Sequence, residues 1–359
     1  MAREVPAHIQ AIANAAVAAP SGDNSQPWHF VFRSPDTLEF HAHPEYDHPV
    51  LNVDNSGTLI ALGAAVENGV LEARGLGYDP SIAFSNTSGD LIATMRLVPG
   101  SAPSTNDAAL REAIKERASN RKAFSTRSLE SIDREQLLAE ARSMPSVSFS
   151  LIEDRTKMDE ASRALTRMEQ IALSHQVLHG HFFSSIFWSN ERNDAGEPGL
   201  HGKTLELPPP AQALFRILKH WPIAKTFARI GFPRFVAMTN AKQNASASAF
   251  GCVMSDTLNA QSYFDTGRLL ERLWLRATAL GLSFQVVTGL LFLARHMESE
   301  SGAEAFSPDE IQRSSAAYAS IGRLFDAGAR HPIITFRLGY GTPPTLRSRR
   351  KEPRIEVVE

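Results

Sequence analysis

The feature that most constrains the fold is that the plan of the chain begins again partway along, the signature of an internally repeated architecture. From Gly57 to Gly75, apolar residues recur at helical spacing (Leu59, Leu62, Ala65, Val66, Val70, Ala73), and Gly75 and Gly77 close the run, which predicts a long buried or amphipathic helix. A second long helix is expected over about Asp256 to Gly281, where Gly267-Arg268-Leu269-Leu270-Glu271 echoes Gly63-Ala64-Ala65-Val66-Glu67. Around the first lie a helix from His8 to Ala18, a strand pair Trp28–Arg33 and Thr37–His41 turning at Ser34-Pro35-Asp36, and a strand over Ile92–Val98. Around the second lie helices over Asp107–Arg117 and Asp133–Arg142 and strands over Val147–Ile152 and Ile333–Leu338. The expectation is an α+β protein of two related halves, residues 1–105 and 106–359, each with a mainly antiparallel sheet packed by helices.

The second half is enlarged by about 184–250, which carries Gly196, Gly199, Gly202 and Pro208-Pro209-Pro210 before an apolar run through Trp221 to Phe235. That segment reads as a lid or flap, too broken to own a core. After Gly341 the chain is rich in proline and arginine and reads as an extended basic tail. A formal net charge of -2 gives no general drive toward nucleic acid or an anionic membrane, so neither is expected as a partner. A single cysteine, Cys252, excludes an intramolecular disulfide and a cage of several thiolates, and reads as core or interface. No apolar run reaches the roughly 20 residues of a membrane helix, and MAREVPAHIQ lacks a secretory pattern, so a cytoplasmic location is expected.

Three segments could carry chemistry. Ala19-Pro20-Ser21-Gly22-Asp23-Asn24-Ser25-Gln26-Pro27-Trp28 is either a helix cap with a turn or a proline-fixed loop offering amide and hydroxyl contacts to a flat polar ring. Arg117-Ala118-Ser119-Asn120-Arg121 is either a solvated basic patch or an extended stretch whose alternate side chains present two cations and a hydroxyl to a phosphate and its sugar-like chain. Arg347-Ser348-Arg349-Arg350-Lys351 is either an exposed tail or a second phosphate clamp. The spacings His41-Ala42-His43 and His175, His179, His181 are ligand-like, but without HExxH or a nearby carboxylate pattern no metal site is expected. Serine-hydrolase chemistry and a separate nicotinamide-binding fold are not expected either, since GxSxG and a GxGxxG after a strand are both absent.

Taken together, these segments resemble the nitroreductase-like FMN flavoproteins. APSGDNSQPW is similar to that family's A-P-S-x-x-N-x-Q-P-W loop over ten consecutive positions, and ERASNRKAFSTRSLESIDREQLLAEA to its R-x-S-x-R-x-F stretch and first helix. LLERLWLRATALGLSFQVVTG resembles its helix ending in G-L with the flavin-facing strand, and ITFRLGYG with RRKEPRIEVV its closing strand and basic end, while Ser184–Phe250 lies outside the resemblance. Typical members share each active site between two subunits. Here the loop and the R-x-S-x-R segment each occur once, in opposite halves, which implies a tandem-duplicated, single-chain pseudo-dimer with one complete flavin site that needs no second subunit.

By position, the resemblance implies that Arg117, Ser119 and Arg121 hold the FMN phosphate, ribityl chain and pyrimidine edge. Pro20, Ser21, Gly22, Asn24 and Gln26 would line the ring from the other half. Thr288 and Gly289 would stand near flavin N5, and Arg347 and Arg349 would complete the phosphate site. No residue is implied to be catalytic in its own right. The chain departs from classical members where glutamate usually precedes the glycine and Thr288 stands here. The implied activity is an FMN-dependent NAD(P)H oxidoreductase with ping-pong hydride transfer through N5 to a nitroaromatic, quinone or similar acceptor. The alternative is an FMN-storing or sequestering protein whose flap closes the site and leaves little turnover.

Overall fold

The structure, a computed structural model, describes residues 4–85 and 89–358. Its first sheet holds β1 (Trp28–Ser34), β2 (Thr37–Ala42), β3 (Tyr78–Phe84) and β4 (Leu91–Pro99). Its second holds β5 (Ser148–Ile152) and, beyond a two-stranded ribbon of β6 (Ile186–Phe187) and β7 (Leu200–His201), β8 (Ala249–Ser255), β9 (Ser283–Val286) and β10 (His331–Gly339). The last strand, β11 (Ile355–Val357), returns to the first sheet, giving the orders β11-β1-β2-β4-β3 and β5-β8-β10-β9. Every pair in the two large sheets is antiparallel except β1 with β11. The α+β expectation with mainly antiparallel sheets packed by helices is met.

Alternation explains the first sheet. Phe30, Phe32, Leu38 and Phe40 all turn one way and are buried with Ile9, Ile12 and Ala16 of the helix Ala7–Val17 and with Leu62, Val66 and Val70 of the helix Ser56–Gly75. The second sheet is covered on both faces. Ala249 and Val253 pack with Leu269, Leu273 and Trp274 of the long helix Ala260–Ala279, whereas Phe250, Cys252 and Met254 pack with the helices Arg155–Leu165, Gly289–Met297 and Pro308–Leu324. A strand buried on both sides shows no polar alternation, which is why β8 did not announce itself in the sequence. Cys252 is fully buried, and burial pushes its thiol well above the ordinary range, so it is core.

Two predicted helices change length. The first ends at Ala113 instead of Arg117, after Ser104 caps it by accepting from the Asp107 N–H. The second begins at Ala260 because Asn259 and Ser262 form a reciprocal capping box. The segment 184–250 is largely helical, with Pro209–Leu218, Trp221–Arg229 and Phe232–Ala245.

The two long helices cross at their glycines. A methyl on Gly63 would come within 3.0 Å of the Phe264 carbonyl carbon, and one on Gly267 within 2.7 Å of the Ile60 carbonyl carbon. The contact is reciprocal, because Ile60 precedes Gly63 by the same step as Phe264 precedes Gly267. Close approach of backbones is what glycine permits here.

Candidate functional site

A cavity of about 960 Å³ lies beside this crossing, lined by Ile60 and Ala61 of one long helix and Leu270 and Trp274 of the other. Of the twelve residues expected at a flavin site, eleven line it: Pro20, Ser21, Gly22 and Asn24 on one side, Arg117, Ser119 and Arg121 on another, then Thr288, Gly289, Arg347 and Arg349. Gln26 is the exception. Its Nε2 donates to the Gly196 carbonyl at 2.8 Å and its Oε1 accepts from the Lys351 N–H at 2.9 Å, so it fastens the loop to the inserted segment and the tail from behind the wall.

The loop is shaped by three residues at positive φ, Asp23 (46°), Asn24 (61°) and Gln26 (56°), a conformation asparagine and aspartate tolerate better than most. Ser21 Oγ accepts from the Gln26 N–H at 3.0 Å and Ser25 Oγ donates to Asp47 at 2.6 Å, which holds the turn shut. Asn24 Nδ2 donates to the Arg349 carbonyl at 3.2 Å, while its buried Oδ1 has no protein partner. Opposite, the 117–121 stretch is extended and pinned by Asn120, whose N–H donates to Phe284 O at 2.9 Å and whose Nδ2 donates to Thr342 O at 2.7 Å. Anchoring Asn120 outward leaves Arg117, Ser119 and Arg121 facing the cavity, as alternation predicts.

The arginines are held in the wall before any ligand arrives. Arg117 Nη2 donates to Ala18 O at 2.6 Å and its guanidinium lies 4.6 Å over the Trp274 ring. Arg350 Nε donates to Ala19 O at 3.2 Å, and Arg121 Nη1 to Thr204 O at 3.2 Å. Two of them therefore meet the C-terminal end of the first helix, where the backbone dipole favours cations. Burial first, and then Arg117 beside it, pushes Arg350 down to about 9. Burial also lowers Arg117 and Arg121.

Their shared counter-charge is thin. Glu271 approaches Arg117 Nε at 3.2 Å without an aligned hydrogen bond at either oxygen, and burial pushes its carboxyl up to about 7 despite Arg117. Arginine keeps its proton in such a pair, so Glu271 is the member that titrates. The matching residue of the first long helix is treated differently. Burial raises Glu67, but Arg268 and Arg272, at 2.9 and 2.8 Å, more than offset it and hold it below the ordinary range. Arg272 continues to Glu140 at 2.9 Å and Asp107 at 3.2 Å, forming a buried ionic network, whereas Asn68 stands at the position matching Arg272 beside Glu271.

The tail arginines named in advance are the more exposed ones. Arg347 pairs with Glu116 at 2.9 Å and Arg349 with Asp194 at 3.5 Å. Arg350, between Arg349 and Lys351, is half-buried where its two neighbours in the motif, Arg347 and Arg349, are exposed, and it was not singled out. Thr288 Oγ donates to Ile333 O at 3.4 Å and accepts from the Thr335 N–H at 3.3 Å, so its hydroxyl is engaged by the backbone. Sequence reasoning also missed Trp274, and the rings of His48 and His181, tilted by 37° with centroids 3.7 Å apart, which close one side of the cavity with Asp23 3.4 Å from His181. Burial and His181 lower His48 to about 4. His48 and His181 belong to distant segments, so no local spacing links them. His41 of β2 gathers with His29 of β1 and Asp90, just before β4, their potential ligand atoms within 4.8 Å of one another, while His43 follows β2; none of the four lines the cavity.

No protein-family model matches the sequence. The chain is 24% identical over 342 residues to the uncharacterized protein MT1398 of Mycobacterium tuberculosis, covering 95% of this chain and spanning about half, 47%, of that protein. Among solved structures it is similar to a nitroreductase with bound FMN from Bacteroides fragilis, at 13% identity over 66% of this chain and 90% of the other, with a TM-score of 0.35. It is likewise similar to the FMN-dependent nitroreductase NfnB of Mycobacterium smegmatis in complex with NADPH, at 14% identity over 65% and 88%, TM-score 0.35. The NADPH:FMN oxidoreductase of Vibrio harveyi complexed with NAD+ gives 12% identity over 66% and 70%, TM-score 0.34. Similarities of this size transfer no activity to this chain, whose own cavity residues carry the functional reading.

Proposed function

We propose that the cavity binds one FMN and that the protein is an NAD(P)H oxidoreductase of the nitroreductase type, built as a single-chain pseudo-dimer of two related halves. The observation that carries this reading is the convergence of eleven residues, from motifs in opposite halves, on one cavity. Its chemistry fits the group. Arg117 and Arg350 share the single, reluctantly ionised Glu271, which leaves positive charge that a phosphate would neutralise. Asn24 Oδ1 is a buried acceptor without a partner, suited to a ring N–H. A volume of about 960 Å³ is at the upper end of small-molecule sites, enough for a flavin and a second ring beside it.

Bound FMN would supply two-electron transfer between a reduced nicotinamide and an acceptor such as a nitroaromatic or quinone. The chain's own groups do the rest. Arg117 and Arg350 would hold the phosphate and Arg121 the pyrimidine edge, the Pro20–Asn24 loop would orient the ring, and Trp274 with Ile60 and Leu270 would exclude water from the crossing. The reciprocal Gly63 and Gly267 contact supports the duplication, since it is what a two-fold axis between related helices produces.

One feature favours the storage reading instead: Asn193, Pro198, Gly199 and Thr204 of the inserted segment form part of the cavity wall, and Gln26 ties that segment at Gly196. Anaerobic stopped-flow mixing of the FMN-loaded protein with NADH, then NADPH, separates the two. Rapid loss of the visible flavin band supports the reductase; flavin bleached by dithionite but by neither nicotinamide supports storage. Failure to retain stoichiometric FMN defeats both.

A further inference from the structure

Residues 209–245 hold six basic residues, Arg216, Lys219, Lys225, Arg229, Arg234 and Lys242, and no aspartate or glutamate, in a chain whose formal net charge is -2. All six are exposed. Among them stand Ile217, Ile223, Ile230, Phe235 and Met238, which are 51, 37, 77, 67 and 64% exposed. The three helices turn Leu218, Ala224 and Ala237 inward, so the cations and these large apolar side chains share the outward side. Isolated exposed leucines and isoleucines are ordinary, but five large apolar groups among six unbalanced cations in 37 residues are a local concentration of both.

The occupant of such a face must offer hydrocarbon and negative charge together. A second copy of this chain offers hydrocarbon but would set like charges against each other, and a nucleic acid offers charge but leaves Ile230 and Phe235 uncovered. An anionic bilayer surface offers both, with phosphates above and acyl chains a few ångströms below. Among the described residues no helix is long and apolar enough to cross a membrane. Pro222 and Pro233 each start a short helix, Gly231 at φ 86° makes the joint between the two, and Ile230, 77% exposed, projects there.

We propose that this three-helix face is a peripheral binding site for anionic phospholipid, with Ile230 and Phe235 entering the acyl boundary and Arg229 and Arg234 meeting headgroup phosphates. The site is independent of the flavin reading. Untagged full-length protein is co-sedimented with vesicles of phosphatidylcholine alone and of phosphatidylcholine with phosphatidylglycerol, in low and moderate salt. Binding is expected to the mixed vesicles only, weakened by salt. Arg229→Gln should lower the partition coefficient about fivefold, and the double variant Ile230→Ser, Phe235→Ser about tenfold or more. These side chains are exposed, so folding, followed by circular dichroism and urea unfolding, should be untouched. No binding to anionic vesicles, equal binding to neutral ones, or undiminished binding by the serine double variant overturns the proposal.

Discussion

Gly63→Ala tests the crossing on which the cavity depends. The added methyl would overlap the Phe264 carbonyl oxygen and stand 3.0 Å from that carbonyl's carbon and 3.1 Å from the Arg268 nitrogen, against an ordinary carbon contact of about 3.5–4.0 Å. These are backbone atoms of a packed helix, with no rotamer to turn away, so the two long helices must part by roughly 1 Å at this level. Overpacking of this kind costs about 1–3 kcal/mol, at the upper end where backbone is struck, and the better helix propensity of alanine returns about 1 kcal/mol. The expected net loss is about 2 kcal/mol, measured by urea unfolding of purified protein at fixed pH. Gly267→Ala, whose methyl would meet Ile60 at 2.7 and 2.8 Å, should cost at least as much. The double variant should cost less than the sum, because the second methyl enters a gap the first has opened. Gly180→Ala is the control: it lies in the helix Gln176–Ser184 with nothing within 4 Å of the added carbon, and should stabilise by about 0.5–1 kcal/mol. If Gly63→Ala behaves like Gly180→Ala, the close crossing does not exist as described.

Arg350→Met should lower FMN affinity about tenfold to a hundredfold, the worth of a hydrogen bond to a charged group, read by titration of flavin fluorescence. Gln26→Ala should leave the cavity lining intact but loosen Gly196 and Lys351, seen as faster amide exchange in both segments and faster FMN release. Burial pushes Glu169 up to about 7, with Asn240 donating to it at 2.7 Å as the lesser, opposing influence. Its folded value lies above its unfolded one, so the wild type loses stability as pH rises from about 4.5 through 7. Glu169→Gln should therefore gain up to about 2 kcal/mol over wild type at pH 8, discounted for partial water contact, and nothing at pH 4, by urea unfolding at both values. A gain that is equal at both pH values would show that Glu169 titrates alike in the folded and unfolded chain, so that burial does not raise it.

The local motifs were legible because their information is local. The Pro20–Gln26 turn and the alternation from Arg117 to Arg121 depend on neighbours in sequence, and both arrived where the cavity is. The α+β plan was equally visible, since Phe30 and Phe32 on β1 and Leu38 and Phe40 on β2 alternate with His29, Arg33, Glu39 and His41, a polar-apolar pattern that marks strands even where both faces are covered. What escaped is long-range. β8 carries no pattern because both its faces are buried, and β11 pairs with a strand more than three hundred residues away. Arg350 differs from Arg347 and Arg349 only in lying against Ala19, and Trp274 faces the cavity only because two helices cross closely. The inserted segment's brokenness suggested a flap, but its prolines stand in first turns, where they start helices instead of breaking them.

Glu67 and Glu271 occupy matching places in two matching helices, yet one is locked among arginines and the other is left half answered. A homodimer cannot make that distinction, because any residue that closes one site closes its twin. In the single-chain pseudo-dimer proposed above that constraint is absent, so one location could harden into a permanent ionic knot while its counterpart keeps a charge in reserve for the proposed anion. Tolerance to mutation should then be lopsided: replacements at Glu67 should damage the fold whatever is bound, whereas replacements at Glu271 should matter chiefly for which anions the protein will accept.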